Sequence, residues 1–135
     1  MAVERPILES IAFRAFVLCR ETTERPDGSW DLIGIVSQIS GKSLPVRWRG
    51  WAFISFYTLD AGNFTISWTV VTPSRKPIKT GVMPHKSEGR RLNNFRLRFN
   101  FETMEAGVHL MELACRGETV ALTPITVEVE AGAVH

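Results

Sequence analysis

The sequence contains few of the residues from which most catalytic and metal sites are built. Among its 135 residues are two cysteines and three histidines: Cys19, Cys115, His85, His109 and His135. No two of them have the spacing of zinc ligands. No nucleophile, base and orienting group form a recognisable catalytic motif. The sequence therefore predicts a protein that is not an enzyme and that binds no metal and no cofactor.

A hydrolase centred on His85 or His109 is the enzymatic alternative. Cys115 and His109 occupy the same predicted strand and point to the same face. Six residues of extended chain separate them, which is about 20 Å at a rise of about 3.3 Å per residue. This distance excludes a direct hydrogen bond between the two side chains. Because His109 occupies an alternating position, we expect it to pack in the core or in an interface.

The sequence also lacks a long uninterrupted apolar segment. Glu4 and Glu9 interrupt the N-terminal segment, which therefore lacks the apolar core of a signal peptide. Asp60 and Pro73 interrupt the least charged stretch, residues 50–74. That stretch is better read as two strands and a turn than as a transmembrane helix, which needs about 20 apolar residues. We therefore expect a cytoplasmic protein without a membrane span, whose two cysteines are free thiols.

Apolar residues alternate with polar residues along much of the chain. In residues 63–72 and 94–101, every second residue is apolar. A period of two is typical of a strand that has one buried face and one wet face. We predict about eight strands, at residues 10–20, 30–40, 46–58, 63–72, 76–83, 92–101, 107–116 and 119–129.

Turn residues between these segments favour a two-sheet antiparallel β-sandwich, an all-β fold. The spacing predicts a hairpin at residues 60–63, a polar loop at 83–91 and one helical turn at 102–106. The length of the chain fits one domain over residues 1–135, with an ordered core from about 8 to 130.

Residues 15–39, AFVLCRETTERPDGSWDLIGIVSQI, resemble the opening of the bacterial family DUF6941. In that family a first strand leads through an acidic loop to Asp-Gly or Asn-Gly and then to a strand like LIGIV at residues 32–36. The strand at 105–113 and the hairpin ending at 123–127 are also similar. The resemblance implies an immunoglobulin-like sandwich of unknown function, and it implies no site residue.

Basic residues are concentrated in the middle of the chain. Residues 42–98 contain eleven bases and two acids, whereas the whole chain has a net charge of +2. An excess of this kind can mark an anionic partner. The alternative is that long basic side chains keep exposed sheet edges soluble.

Arginine and tryptophan residues within this basic segment are the candidate binding residues. On a strand, Arg47, Arg49 and Trp51 share one face and Trp48 lies on the other. Two arginines of the later predicted strand also share a face, with Arg90 and Arg91 as candidate neighbours. The full partner-binding set is Arg47, Trp48, Arg49, Trp51, Arg90, Arg91, Arg96 and Arg98. Arginines and aromatic residues can anchor a protein interface, or hold phosphates and stack bases. They can also cover a wet face beside a core tryptophan.

These observations favour a non-catalytic domain that binds an unknown protein partner or a second copy of itself. The alternative is a nucleic-acid or anion binder that uses residues 42–98. Neither hypothesis involves a membrane.

Overall fold

The computed structural model describes residues 11–130, in which nine strands and no helix occur. The strands are β1 (Ile11–Glu24), β2 (Trp30–Val36), β3 (Gln38–Gly41), β4 (Val46–Thr58), β5 (Ala61–Val71), β6 (Pro77–Glu88), β7 (Arg91–Thr103), β8 (Gly107–Cys115) and β9 (Glu118–Val129). No helix in this part of the chain is long and apolar enough to cross a membrane. The predicted start of the ordered core, residue 8, and the last five residues lie outside the described range.

The strands form two sheets, so the predicted β-sandwich is confirmed. One sheet has the order β2-β1-β4-β7 and the other has the order β3-β9-β8-β5-β6. The prediction of about eight antiparallel strands was wrong in one respect, because β3 pairs with β9 in parallel. The predicted strand at residues 30–40 is divided at Ser37, where the chain leaves one sheet and joins the other. The carbonyl oxygen of Ser37 accepts a hydrogen bond of 3.0 Å from the Thr126 amide.

The order of the strands is immunoglobulin-like. Strands β4 and β7 are neighbours in one sheet, as strands B and E are in immunoglobulin domains. The series β9-β8-β5-β6 corresponds to strands G, F, C and C′. Strand β1 departs from this pattern. An immunoglobulin sheet has strands A and B side by side, whereas here β1 lies between β2, at the position of strand A, and β4, at the position of strand B.

Three local predictions were wrong. Residues 60–63 do not form a hairpin, because β4 and β5 belong to different sheets and residues 61–63 are already the first residues of β5. Residues 83–88, predicted as loop, continue edge strand β6, where Lys86 pairs with Asn63. Residues 102–106 contain no helical turn, because the amide of Glu105 donates instead to the Thr103 hydroxyl at 3.2 Å. Turn residues show that the chain turns, but they do not specify which strands pair afterwards.

The core lies between the sheets, where alternate residues of each strand point inward. On β4 these include Ala52, Ile54 and Phe56, which have no exposed surface. The Phe56 ring lies 5.3 Å from the Phe13 ring and 5.7 Å from the Phe95 ring, measured between centroids. Burial of the Ile54 and Phe56 side chains contributes about 1.5–3 kcal/mol each, so the core fixes which face of β4 points outward.

Gly50 allows Trp48 to lie against strand β4. A Cβ atom at residue 50 would meet the Trp48 ring and would lie 2.8 Å from the carbonyl oxygen of Cys19. We expect Gly50→Ala to lower the free energy of unfolding by about 1–3 kcal/mol, because a well-packed core resists added volume. Urea denaturation measures this change. A variant as stable as the unmodified protein would contradict the placement of Trp48.

Candidate binding site on the four-stranded sheet

Strands β4 and β7 bring five of the eight predicted binding residues onto one outer surface. They pair in an unbroken antiparallel register, in which Arg49 pairs with Asn100 and Trp51 pairs with Arg98. Directly paired residues of two neighbouring strands lie on the same face of a sheet. The arginine face is defined by Arg47, Arg49, Trp51, Arg96 and Arg98.

Trp51 is the centre of the arginine face. The guanidinium carbons of Arg96 and Arg98 lie 4.6 and 4.9 Å from the centroid of its ring. At these distances a guanidinium is attracted to the electron-rich face of the ring. Arg96 also donates through Nη1 to the carbonyl oxygen of Thr22 at 2.8 Å. The ring therefore holds two arginines in place, which reduces the conformational freedom they would lose on binding a ligand.

The arginine face retains unneutralised positive charge. Arg47 forms an ion pair with Glu102, with 2.6 Å between Nε and Oε2. Within residues 11–130, no ion pair with a carboxylate is formed by Arg49, Arg96 or Arg98. A depression of about 360 Å³ lies at the Arg47 end of this surface, and Arg49 and Asn100 are among the residues that line it. The surface can therefore accept carboxylate or phosphate groups, which arginine binds through two parallel hydrogen bonds.

The other three predicted residues do not join the arginine face. Trp48 points to the inner side of the sheet, where its ring lies 6.3 Å from the Phe101 ring. Arg90 precedes β7 in the turn after β6, and Arg91 pairs with Glu88 at 2.8 Å. Arg91 is seven positions from Arg98 on an extended strand, which is about 23 Å at about 3.3 Å per residue.

The hairpin of β1 and β2 covers one end of the outer surface, a feature that was not predicted. Phe53 points outward yet is buried, and its ring lies 5.5 Å from the Trp30 ring. The sequence contained a signal for this cover. Residues 52–56 form an almost continuous apolar run, and such a run indicates a strand that is buried on both faces.

A polar pocket lies between the tip of this hairpin and strands β6 and β7. It has a volume of about 420 Å³, and Glu24, Trp30, His85 and Asn93 are among the residues that line it. Within the described residues, His85 Nε2 is buried and has no hydrogen-bond partner. Its ring contacts Phe56, with 5.3 Å between centroids. Burial lowers the pKa of His85, against a smaller opposing effect of Asn93.

This half-buried histidine makes stability depend on pH. The unfolded chain binds a proton at His85 with a pKa of about 6.5, and the folded chain binds it only at lower pH. Protonation therefore favours the unfolded state, and stability should fall as the pH is lowered below about 6.5. We expect a lower urea midpoint at pH 5.5 than at pH 7.5, and a smaller difference for His85→Gln. An identical pH dependence in the two proteins would contradict this environment of His85.

His109 is enclosed in the core and has no exposed surface. Its Nδ1 lies 3.1 Å from the carbonyl oxygen of Gly107, to which it donates. Its Nε2 lies 2.7 Å from the Thr103 hydroxyl and then accepts a hydrogen bond from it. With both ring nitrogens satisfied by the protein, His109 joins the end of β7 to the start of β8. This geometry supports a structural role for His109.

The fold and the arginine face define an immunoglobulin-like β-sandwich with a cationic outer surface on its four-stranded sheet. A model of the family of unknown function DUF6941 matches residues 14–128. The chain therefore belongs to the DUF6941 family, as its opening and closing strands predicted. A comparison with curated proteins finds no match.

Solved structures with a similar fold have little sequence identity to this chain. The Pseudomonas fluorescens alkylpurine DNA glycosylase AlkC, bound to DNA containing an abasic site analog, has a TM-score of 0.56 and 11% identity. That match covers 89% of this chain and 31% of the glycosylase. Listeria innocua β-glucosidase in complex with isofagomine has a TM-score of 0.51 and 12% identity, over 87% of this chain and 16% of the enzyme. An immunoglobulin-like protein from Pseudomonas aeruginosa has a TM-score of 0.40 and 12% identity, over 87% and 95% of the two chains.

The chain spans less than a third of the glycosylase and less than a fifth of the glucosidase. At this level of identity, the likeness to these two enzymes shows the fold alone. Activity in such large proteins depends on specific sites, and a shared fold does not carry such a site with it.

Proposed function

We propose that this chain is a non-catalytic binding domain that recognises an acidic protein partner through the arginine face. The proposal rests on one observation: Arg49, Arg96 and Arg98 are exposed, and none of them forms an ion pair with a carboxylate within residues 11–130. Arginine and tryptophan are enriched in protein interfaces, where they are frequent anchors of binding energy.

The arrangement of the basic residues favours a protein partner over a nucleic acid. Nucleic-acid affinity increases with the number of phosphates contacted, and the eleven bases of residues 42–98 are spread over several surfaces. Lys79 and Lys86 lie on β6 of the other sheet. The Trp51 ring, a candidate platform for a base, is already in contact with Arg96 and Arg98. The DNA-bound glycosylase shares only the fold with this chain and adds no support for a nucleic acid.

Fluorescence anisotropy with three labelled probes tests the proposal. The probes are a ten-residue glutamate peptide, its glutamine counterpart and a ten-nucleotide single-stranded DNA, each measured at about 50 and about 200 mM salt, where screening of exposed charges differs strongly. We expect the glutamate peptide to bind most tightly, with an affinity that falls as salt is added. Tighter binding of DNA would favour the nucleic-acid hypothesis. Equal binding of the glutamate and glutamine peptides would overturn the proposal.

We also propose that the domain works in a reducing compartment, the cytoplasm. Cys19 and Cys115 are both buried free cysteines, and burial raises the pKa of each thiol. Two protonated thiols in different sheets are compatible with a chain that needs no disulfide. Fractionation of native cells tests this location, and recovery of the protein from an oxidising compartment would contradict it.

A further inference from the structure

The four edges of the two sheets differ in how well they are protected. Edge strand β6 contains Pro77 and Pro84, and edge strand β3 has only 4 residues. Edge strand β2 has 7 residues and contains Gly34 at a φ of +68°. Prolines, short length and irregular backbone are the usual means by which proteins prevent edge pairing. Strand β7 has 13 residues and none of these features.

Within residues 11–130, one side of β7 is open along half of its length. All thirteen residues pair with β4, and no other described strand pairs with β7. Alternate backbone N–H and C=O groups of an edge strand point away from its neighbour. At one end, β6 approaches β7 through the His85 and Phe95 rings, whose centroids are 5.1 Å apart. The remaining open edge extends over residues 97–103 and is about 20 Å long at about 3.3 Å per residue.

The side chains along this open edge specify what an added strand would need. On the outer surface are Arg98 and Asn100, followed by Glu102, whose carboxylate is paired with Arg47. On the inner side is Leu97, which is half-buried at the rim of the core. Side chains that are directly opposite on neighbouring strands interact, with Cβ atoms about 4.5–5.5 Å apart. An acidic residue would therefore face Arg98, with the other arginines of the arginine face on the same surface, and an apolar residue would face Leu97.

We infer that the partner binds as an extended segment added to the sheet along β7, with acidic residues at every second position and apolar residues between them. This inference rests on the proposed function, because it specifies how an acidic protein partner is bound. Backbone hydrogen bonds to an edge strand provide affinity in this mode, and alternate side chains provide specificity.

A second copy of β7 is the competing occupant of this edge. An antiparallel pair of copies centred on Asn100, the middle of the open edge, would place Arg98 of each chain opposite Glu102 of the other, but Arg47 of the same chain already pairs with Glu102. Sedimentation of the domain with and without the acidic peptide separates the two occupants. A dimer that persists when the acidic peptide is added, with no peptide bound, would overturn the inference.

Seven-residue peptides test the inference by their pattern and their backbone. One peptide alternates glutamate and valine, and a second has the same composition with its glutamates in one block. Two further peptides alternate as the first does and carry N-methyl groups on either all glutamate or all valine nitrogens. Since N–H groups on one edge of a strand belong to alternate residues, only one of these two methylations can block pairing. We expect the alternating peptide to bind at least about tenfold tighter than the block peptide, which is about 1.4 kcal/mol. We also expect one methylated peptide to bind and the other to fail.

Failure of strand addition and failure of the proposed function give different results. If the block peptide and both methylated peptides bind as tightly as the alternating peptide, the arginine face binds acidic partners but adds no strand. If no acidic peptide binds, or if Arg98→Glu leaves the affinity for the alternating peptide unchanged, both proposals are overturned. Arg90→Glu is the matched control, because this exposed residue lies in the turn before β7. It should leave binding unchanged.

Discussion

Phe56→Ala is expected to lower the free energy of unfolding by about 3–5 kcal/mol. Phe56 has no exposed surface, and three aromatic rings surround it: those of Phe13, His85 and Phe95. Alanine would remove these contacts and leave a cavity that a packed sandwich cannot fill. Because a domain of this size is stable by about 5–15 kcal/mol, the loss would be a large part of the total. Urea denaturation at pH 7.5 measures it.

Tyr57→Ala is the matched control for this substitution. Tyr57 is the next residue of the same strand, points to the outer surface and is 39% exposed. Its loss should cost far less than the loss of Phe56, because its ring already contacts solvent. Equal effects of the two substitutions would contradict the register of β4, since a shift of one residue exchanges its inner and outer faces. The arginine face would then point into the core.

The double variant Arg49→Glu, Arg98→Glu should bind an acidic peptide about tenfold to hundredfold more weakly than the unmodified protein, or about 1.4–2.7 kcal/mol. Each substitution replaces an attraction with a repulsion on an exposed surface. The difference should therefore decrease as salt is added. Stability should fall by only about 0.5–1 kcal/mol, because Arg98 loses its contact with the Trp51 ring, whereas neither arginine forms an ion pair with a carboxylate within residues 11–130. Fluorescence anisotropy measures the affinity, and urea denaturation measures the stability.

The control for this double variant is Arg75→Glu, Arg90→Glu. It changes the net charge by the same amount, and both residues are exposed in turns away from the arginine face. We expect it to bind the acidic peptide as tightly as the unmodified protein does. If both double variants lose the same affinity, binding follows net charge and the arginine face has no special role.

The sequence predicted the faces of single strands correctly, because alternation is a local property. The placement of Arg47, Arg49 and Trp51 on one face of β4 needs only the period of an extended chain. Pairing between β4 and β7 was not predictable in the same way. Trp51 and Arg98 meet across two strands that are separated by β5 and β6, and no local pattern encodes that register.

The parts of the candidate site that were missed depend on contacts between distant segments. Arg90 and Arg91 are close to Arg96 in sequence, yet because the chain is extended they lie at the start of β7, away from the arginine face. The cover over Phe53 comes from Trp30, on a hairpin whose direction is set by the packing of β1 between β2 and β4. Turn residues at 60–63 marked a reversal of the chain but did not show that the next strand joins the other sheet.

An NMR titration of the isotope-labelled domain with a glutamate-rich peptide tests the central claim most directly. The arginine face predicts that the largest shifts occur at the Trp51 indole N–H, at the Nε–H groups of Arg49 and Arg98, and at backbone amides of residues 97–103. Shifts that fall mainly on Arg90, Arg91 or the outer face of the five-stranded sheet would contradict it.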